Sequence, residues 1–276
     1  MIVFMSLRSG AIALVLLGCL LAPAVPLAAQ TPDTVLLEEL TWTEVRDALR
    51  AGKTTVIVPV GGTEQNGPHM ALGKHNARVK VLSERIARAL GDALVAPVIA
   101  YVPEGAVSPP AGHMRFAGTI TLPEAAFETT LEYAARSFRQ HGFRDIVLIG
   151  DHGGYQKSLV RVAARLNREW AATPVRVHAV EDYYQAVETD FVKALKRQGF
   201  RDDEIGSHAG LADTSLTLAV DPRLVRSEWL TRGTPPGVAD GVHGDPRRST
   251  AAAGQAGVDL IVSRTSEAIR RDLVRR

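Results

Sequence analysis

The chain has 276 residues, 46% hydrophobic and 22% charged, a globular composition long enough to bury a core without disulfides. Its 32 Lys and Arg are interspersed with 30 Asp and Glu, so the net charge of +2 supplies no basic stripe of the kind a nucleic-acid binder carries. The one cysteine, Cys19, excludes an intramolecular disulfide framework and a thiolate zinc cage.

Residues 1–29 hold a single charge, Arg8, followed by an apolar run over 11–21 and small residues before Gln30. A short basic start, an apolar stretch of about 7–15 residues and a small-residue cleavage site describe a secretory leader. A membrane span needs about 20 apolar residues, and Pro23 and Pro26 interrupt this one, so no stable membrane insertion is expected once the leader is removed. Leu16-Leu17-Gly18-Cys19 is similar to a lipoprotein cleavage site, but Leu17 is bulky for its position and apolar residues continue past the cysteine. Cleavage near Ala29 and a periplasmic or secreted location are the expectation, with lipidation at Cys19 the lesser alternative.

The rest alternates strand and helix. Thr41-Trp42-Thr43-Glu44 is a capping-box pattern opening a short helix that stops at Gly52. A β-branched run over 54–60 reads as a buried strand. Residues 76–90 place Val79, Leu82, Ile86 and Leu90 at helical spacing, and Gly91 ends that helix. Residues 93–99 form a second strand. Thr121-Leu122-Pro123-Glu124 is another capping-box pattern, for a helix running to Gly142. Further strands are expected at 145–149 and 175–180, and helices at 156–172, 184–198, 211–219 and 250–273. Residues 229–249 are Gly/Pro-rich and aperiodic, long enough to suggest a functional loop.

Such alternation implies an α/β fold with a mostly parallel sheet covered on both faces, and no linker separates two cores. In such sheets ligands bind beyond the carboxyl ends of the strands. That selects residues 61–76 and 150–156, which carry Glu64, Asn66, His69, His75, Asp151 and His152 among glycines. Carboxylates and imidazoles on Gly-rich loops suit zinc, manganese or iron, although any one of these histidines could equally be a hydrogen-bonded surface residue. A third cluster, Ser207-His208-Ala209-Gly210-Leu211-Ala212-Asp213-Thr214-Ser215, flanks a helix start. Taken alone, helix capping is the better account of it.

Taken in order, these segments resemble the creatininase (creatinine amidohydrolase) family. Its members follow one strand with Gly-Ser-Thr-Glu-Gln-His-Gly-Pro-His, a later strand with Asn-Gly-His-Gly-Gly-Asn, and then show His-Ala-Gly with Glu-Thr-Ser. Residues 113–120 and 241–246 are similar to the family as well, and the resemblance spans about residues 40–271. It implies a single-domain three-layer α/β/α sandwich over 30–276, assembled into a homo-oligomer such as a hexamer. It also implies one or two divalent metals and hydrolysis of a non-peptide or cyclic C–N bond in a small molecule.

Carried over by position, Glu64 falls on a metal carboxylate and His152 on a metal histidine. Asn66 stands where the family has the second metal's histidine, and His75 replaces the aspartate that bridges two metals. Asp213 falls on a glutamate acting as general base and His208 on a catalytic histidine; Gly154 stands where creatininase proper has a metal-binding glutamate. An amide is a weaker ligand than imidazole, and an imidazole using one neutral nitrogen does not bridge two ions. The expectation is one divalent Zn, Mn or Fe on Glu64, His75 and His152, with Asp151 as a fourth ligand or a supporting partner. A family member that binds a small ligand without turnover, and a hydrolase of esters or lactones, are the alternatives. Tyr183 and Tyr184 are candidates for the pocket wall or the core.

Overall fold

The structure is a computed structural model and describes residues 32–274; the leader expected over 1–29, and Cys19 with it, lie outside the described residues. The chain from Asp33 onward forms one compact unit. Its centre is a four-stranded sheet in the order β2-β1-β3-β4, from β1 (Thr55–Val60), β2 (Ala93–Val95), β3 (Asp145–Gly150) and β4 (Arg176–Ala179). Every pair is parallel, with Val56 opposite Leu94 and Ile146, and Ile146 opposite Val177.

The side-chain alternation of a strand sends β1 and β3 into two separate cores. Val56, Val58, Ile146 and Leu148 pack on one face with Leu131 of α3 (Glu124–His141) and Val162 of α4 (Gln156–Glu169). Ile57, Val147 and Ile149 pack on the other with Leu82 of α2 (Lys74–Leu90), Leu216 of α8 (Leu211–Val220) and Ile261 of α9 (Ala251–Val274). Both β1 and β3 are buried along their whole length, which is why they read as continuous apolar runs rather than alternating ones. The expected three-layer sandwich is the observed one.

Local signals fare unevenly. Thr41 caps α1 (Trp42–Arg50) with both bonds of the box, and Gly91 and Gly142 close α2 and α3 at φ 89° and 103°. The box at Thr121 does not form: Pro123 takes the N-cap position of α3 without a side-chain cap, and Thr121 serves another loop. The helix expected over 184–198 comprises α5 (Asp182–Gln185), a π-helical stretch (Ala186–Phe191) and α6 (Val192–Arg197). A short α7 (Asp202–Ile205) follows.

Strand β2 is shorter than expected because Pro97 has no N–H to donate. The chain nevertheless stays beside β1: Ile99 N–H donates to Pro59 O at 3.0 Å, and Gly61 N–H donates to Ile99 O at 3.0 Å. That pairing delivers residues 100–121 to the carboxyl end of β1. No helix among the described residues is long and apolar enough to cross a membrane.

Candidate metal centre

Three strand ends converge. The loop after β1 supplies Glu64, the loop after β3 supplies His152, and the chain after β2 supplies Glu104 and His113. One potential ligand atom from each of these four residues lies within 4.8 Å of all the others. His113 Nε2 is 3.1 Å and His152 Nε2 3.5 Å from Glu64 Oε2, and His152 Nε2 is 3.8 Å from Glu104 Oε2.

Both carboxylates are buried, yet among the described residues Glu64 Oε2 and both oxygens of Glu104 have no hydrogen-bond partner. Burying an unpaired carboxylate costs several kcal/mol or shifts it to the neutral form, so such a cluster calls for a cation. Without one, burial and the neighbouring Glu64 push the Glu104 carboxyl up to about 9. Burial acts on Glu64 too, but the His75 hydrogen bond and charge outweigh it and hold that carboxyl well below the usual range. Burial brings His152 down to about 3, which keeps it in the neutral form a metal requires. Two carboxylates and two imidazoles with unsatisfied oxygens fit a divalent ion such as Zn, Mn or Fe.

The loops are shaped around these side chains. Glu104 N–H donates to Thr121 Oγ1 at 2.9 Å, and Thr121 Oγ1 donates to Gly105 O at 3.1 Å. A Cβ on Gly62 would sit 2.7 Å from Glu104 Oε1, so only glycine leaves room for that carboxylate. Gln65 is clamped by the Gly67 N–H on its Oε1 (2.9 Å) and by its own Nε2 donating to Gly241 O (3.1 Å); the same Nε2 lies 3.0 Å from His113 Nδ1.

Behind the cluster lies a buried charge network. His75 is held between Glu64 Oε1 (Nε2, 2.7 Å) and Asp151 Oδ2 (Nδ1, 2.6 Å), so both ring nitrogens face carboxylates. Asp151 also accepts from Arg78 Nε at 2.8 Å and from Tyr183 Oη at 2.8 Å. Asp213 accepts from Arg78 Nη1 (2.9 Å), from Lys74 Nζ (2.7 Å) and from the Ala209 N–H (2.9 Å). Burial opposes ionisation of Asp213, but Lys74 and then Arg78 hold it well below the usual carboxylate range. Asn66 Nδ2 donates to Glu64 O and Ala71 O and shapes the loop.

The sequence-derived ligands therefore separate. Glu64 and His152 meet in the cluster; His75 and Asp151 have their polar atoms engaged by protein partners, and Asn66 turns its amide to the backbone. Tyr183 is a core residue bonded to Asp151. Glu104 and His113 were not singled out as ligands, although His113 begins a family-like segment and the strand-end rule, applied to β2 as well, leads to this loop.

His208 stands at the start of the α8 turn. Its Nε2 lies between the Gln65 carbonyl oxygen at 3.0 Å and the Gln65 side-chain Nε2 at 3.1 Å, and its Nδ1 is 3.8 Å from Glu64 Oε1. Burial and Lys74 bring this imidazole down to about 4. Backbone bonds join His208 to His243 in both directions: His208 N–H donates to His243 O at 3.3 Å and His243 N–H to His208 O at 2.9 Å. A cavity of about 370 Å³ opens over His113, His152 and His208. A larger one, about 570 Å³, lies against Trp42, Val45 and Leu49 of α1 and carries none of this chemistry.

The family model described as creatininase, creatinine amidohydrolase, matches residues 38–269. The chain belongs to the creatininase family. Among its relatives, creatinine amidohydrolase of Pseudomonas putida is 31% identical over 199 residues, covering 70% of this chain and 74% of that protein. The mycofactocin precursor peptide peptidase of Mycolicibacterium smegmatis is 27% identical over 237 residues, 78% of this chain and 84% of that one. A crystal structure of creatinine amidohydrolase superposes with a TM-score of 0.74 at 26% identity, over 88% of this chain and 99% of that one. Creatininase structures of this fold include a manganese form and a zinc–zinc form. These relatives are hydrolases, and the hydrolase class expected from the motifs is that of this creatininase-family chain.

Proposed function

We propose that this protein hydrolyses an amide C–N bond of a small molecule and binds one divalent cation through Glu64, Glu104, His113 and His152. The observation that carries the reading is the convergence of four potential ligands within 4.8 Å around carboxylate oxygens that accept no hydrogen bond among the described residues. One group of four potential ligands among the described residues, with His75 and Asp151 engaged by protein partners, supports one ion rather than two.

When bound, such an ion supplies Lewis acidity, which acidifies water and polarises a carbonyl. The chain's own groups do the rest. His208 presents a neutral imidazole at the pocket wall, placed to take the proton of the attacking water and return it to the departing nitrogen. As water oxygen bonds to the carbonyl carbon, the C–N bond breaks and the amine leaves protonated. Asp213, with both oxygens engaged, holds Lys74, Arg78 and the backbone beside His208 in place rather than exchanging protons itself.

The test is metal analysis of purified protein paired with a screen of cyclic amides, N-formyl compounds and lactones. One Zn, Mn or Fe per chain is expected, lost with activity in Glu64→Ala, Glu104→Ala and His152→Ala and kept in Lys157→Ala. Protein free of metal after growth in zinc and manganese contradicts the proposal, and turnover of lactones alone redirects it to esters. Export belongs to the same reading and rests on the pattern of residues 1–29; a mature N-terminus near Gln30 in the exported fraction is the expected result.

A further inference from the structure

The wall of the cavity over the metal centre has one sign of charge. Its ionisable lining residues are Arg115 and the histidines His113, His152, His208 and His243, with Phe116 and Val238 adding apolar surface. No Asp or Glu side chain lines it among the described residues, because Glu64 and Glu104 are buried. A substrate entering here meets cationic and neutral donors before it meets any carboxylate.

Arg115 is the fixed charge on that wall. Some surface arginines are engaged by acids, as Arg136 is by Glu132 and Glu169, and Arg247 by Asp245. Arg115 has no ion pair among the described residues; its Nε donates to Gly112 O at 3.3 Å, and Nη1 and Nη2 are free. An exposed arginine on a loose loop would be a solvated side chain, but this one is on a pinned turn. His113 N–H donates to Glu104 O at 3.2 Å, and Phe116 N–H to His113 O at 3.0 Å. Gly112, at φ 60°, brings the turn so close that a Cβ would lie 3.0 Å from Glu104 O. The segment that fixes Glu104 and His113 therefore fixes the backbone of Arg115 as well.

We propose that the substrate is a small amide that also carries a carboxylate, received by the free guanidinium edge of Arg115 at the cavity mouth. The planar fork matches a carboxylate through two parallel N–H bonds. A cavity of about 370 Å³ limits the molecule to a few functional groups, so anchoring one end at Arg115 turns the amide end toward His208 and the metal ligands. The same field disfavours amines and cationic amides. This inference rests on the amidohydrolase reading, which it deepens.

Calorimetry on metal-loaded protein tests it without turnover, using succinamate, with one carboxylate and one amide, against neutral succinamide. Succinamate is expected to bind about tenfold more tightly to the native protein, with the advantage shrinking as NaCl rises from about 50 to about 300 mM. Arg115→Ala is expected to remove that advantage with metal content unchanged, and Arg115→Lys to restore part of it. Equal binding of the two probes to native protein, no binding of either at millimolar concentration, or an undiminished advantage in Arg115→Ala overturns the proposal. Turnover and metal content are read separately: a succinamate preference that depends on Arg115, in protein that hydrolyses no amide, refutes the amidohydrolase reading and leaves carboxylate recognition standing.

Discussion

The hydroxyl of Thr121 accepts the backbone N–H of Glu104 at 2.9 Å and donates to the next carbonyl, Gly105 O, at 3.1 Å. It thereby fastens the loop after β2 to the chain entering α3. The Glu104 carboxylate, which accepts no hydrogen bond among the described residues, depends on that backbone for its position. Thr121→Val keeps the side-chain volume and removes both bonds. We expect a stability loss of about 1–3 kcal/mol from the two unsatisfied backbone groups. Metal affinity should fall about tenfold or more, as it does when an outer partner of a ligand is removed. Competition with a chromophoric chelator measures it, and unchanged affinity contradicts the supporting role of Thr121.

Gly62 makes the complementary prediction. A methyl there meets Glu104 Oε1 at 2.7 Å and Val102 Cγ2 at 3.3 Å, so the more mobile carboxylate is the group that moves. Gly62→Ala should keep its far-ultraviolet circular dichroism and lose most of its bound metal. A stoichiometry equal to the native protein's shows that the carboxylate tolerates the intrusion.

Lys74 is fully buried and paired with Asp213 Oδ2 at 2.7 Å. Removing Lys74 leaves the Asp213 carboxylate to Arg78 and the Ala209 N–H alone, a loss of up to about 3–5 kcal/mol, the range for a buried pair broken on one side. Lys74→Met is expected to fall in that range in denaturant titration. Adding Asp213→Asn should recover part of it, so that the double-mutant cycle gives a non-zero coupling. Additive losses indicate that the two side chains act independently.

His69 predicts a slope in pH. Burial brings its imidazole down to about 4, and Nε2 lies 3.0 Å from Thr214 Oγ1. An unfolded histidine titrates near 6.5. Between about pH 6.5 and pH 4 the unfolded chain binds this proton and the folded chain does not, so stability falls as pH falls through that window, by up to about 1.4 kcal/mol per unit. His69→Gln, whatever its own stability, should show a shallower fall over the same range, and parallel curves refute the assignment. Other buried histidines add similar slopes to both proteins, which is why the difference between them is the quantity to measure.

How far the sequence foretold this molecule depends on how local each signal is. Strands β1 and β3 were legible because burial on both faces demands a run of apolar side chains. Thr41, Gly91 and Gly142 were legible because caps are settled within four residues. Thr121 had the right residues for a cap, but a tertiary partner claimed its hydroxyl. Glu104 lies in an aperiodic Pro/Gly segment and becomes a site residue only because Ile99 keeps pairing along β1 past Pro97. His75 and Asp151 had ligand chemistry, and the structure shows them engaged by Arg78, Tyr183 and each other, partnerships between loops that no spacing encodes.

The backbone pairing of His208 with His243 divides the cavity between two kinds of inheritance. A side chain on Gly206 would collide with His243 O at 2.0 Å, and one on Gly244 with Gly210 Cα at 2.7 Å, so the seam beside His208 admits almost no variation. The stretch that leads into that seam is mostly exposed and contributes Val238 to the rim. Mutations there can alter which molecules enter while the seam keeps the His208 backbone in place. A gene copy could thus acquire a new substrate through its rim while its chemistry stayed where it was.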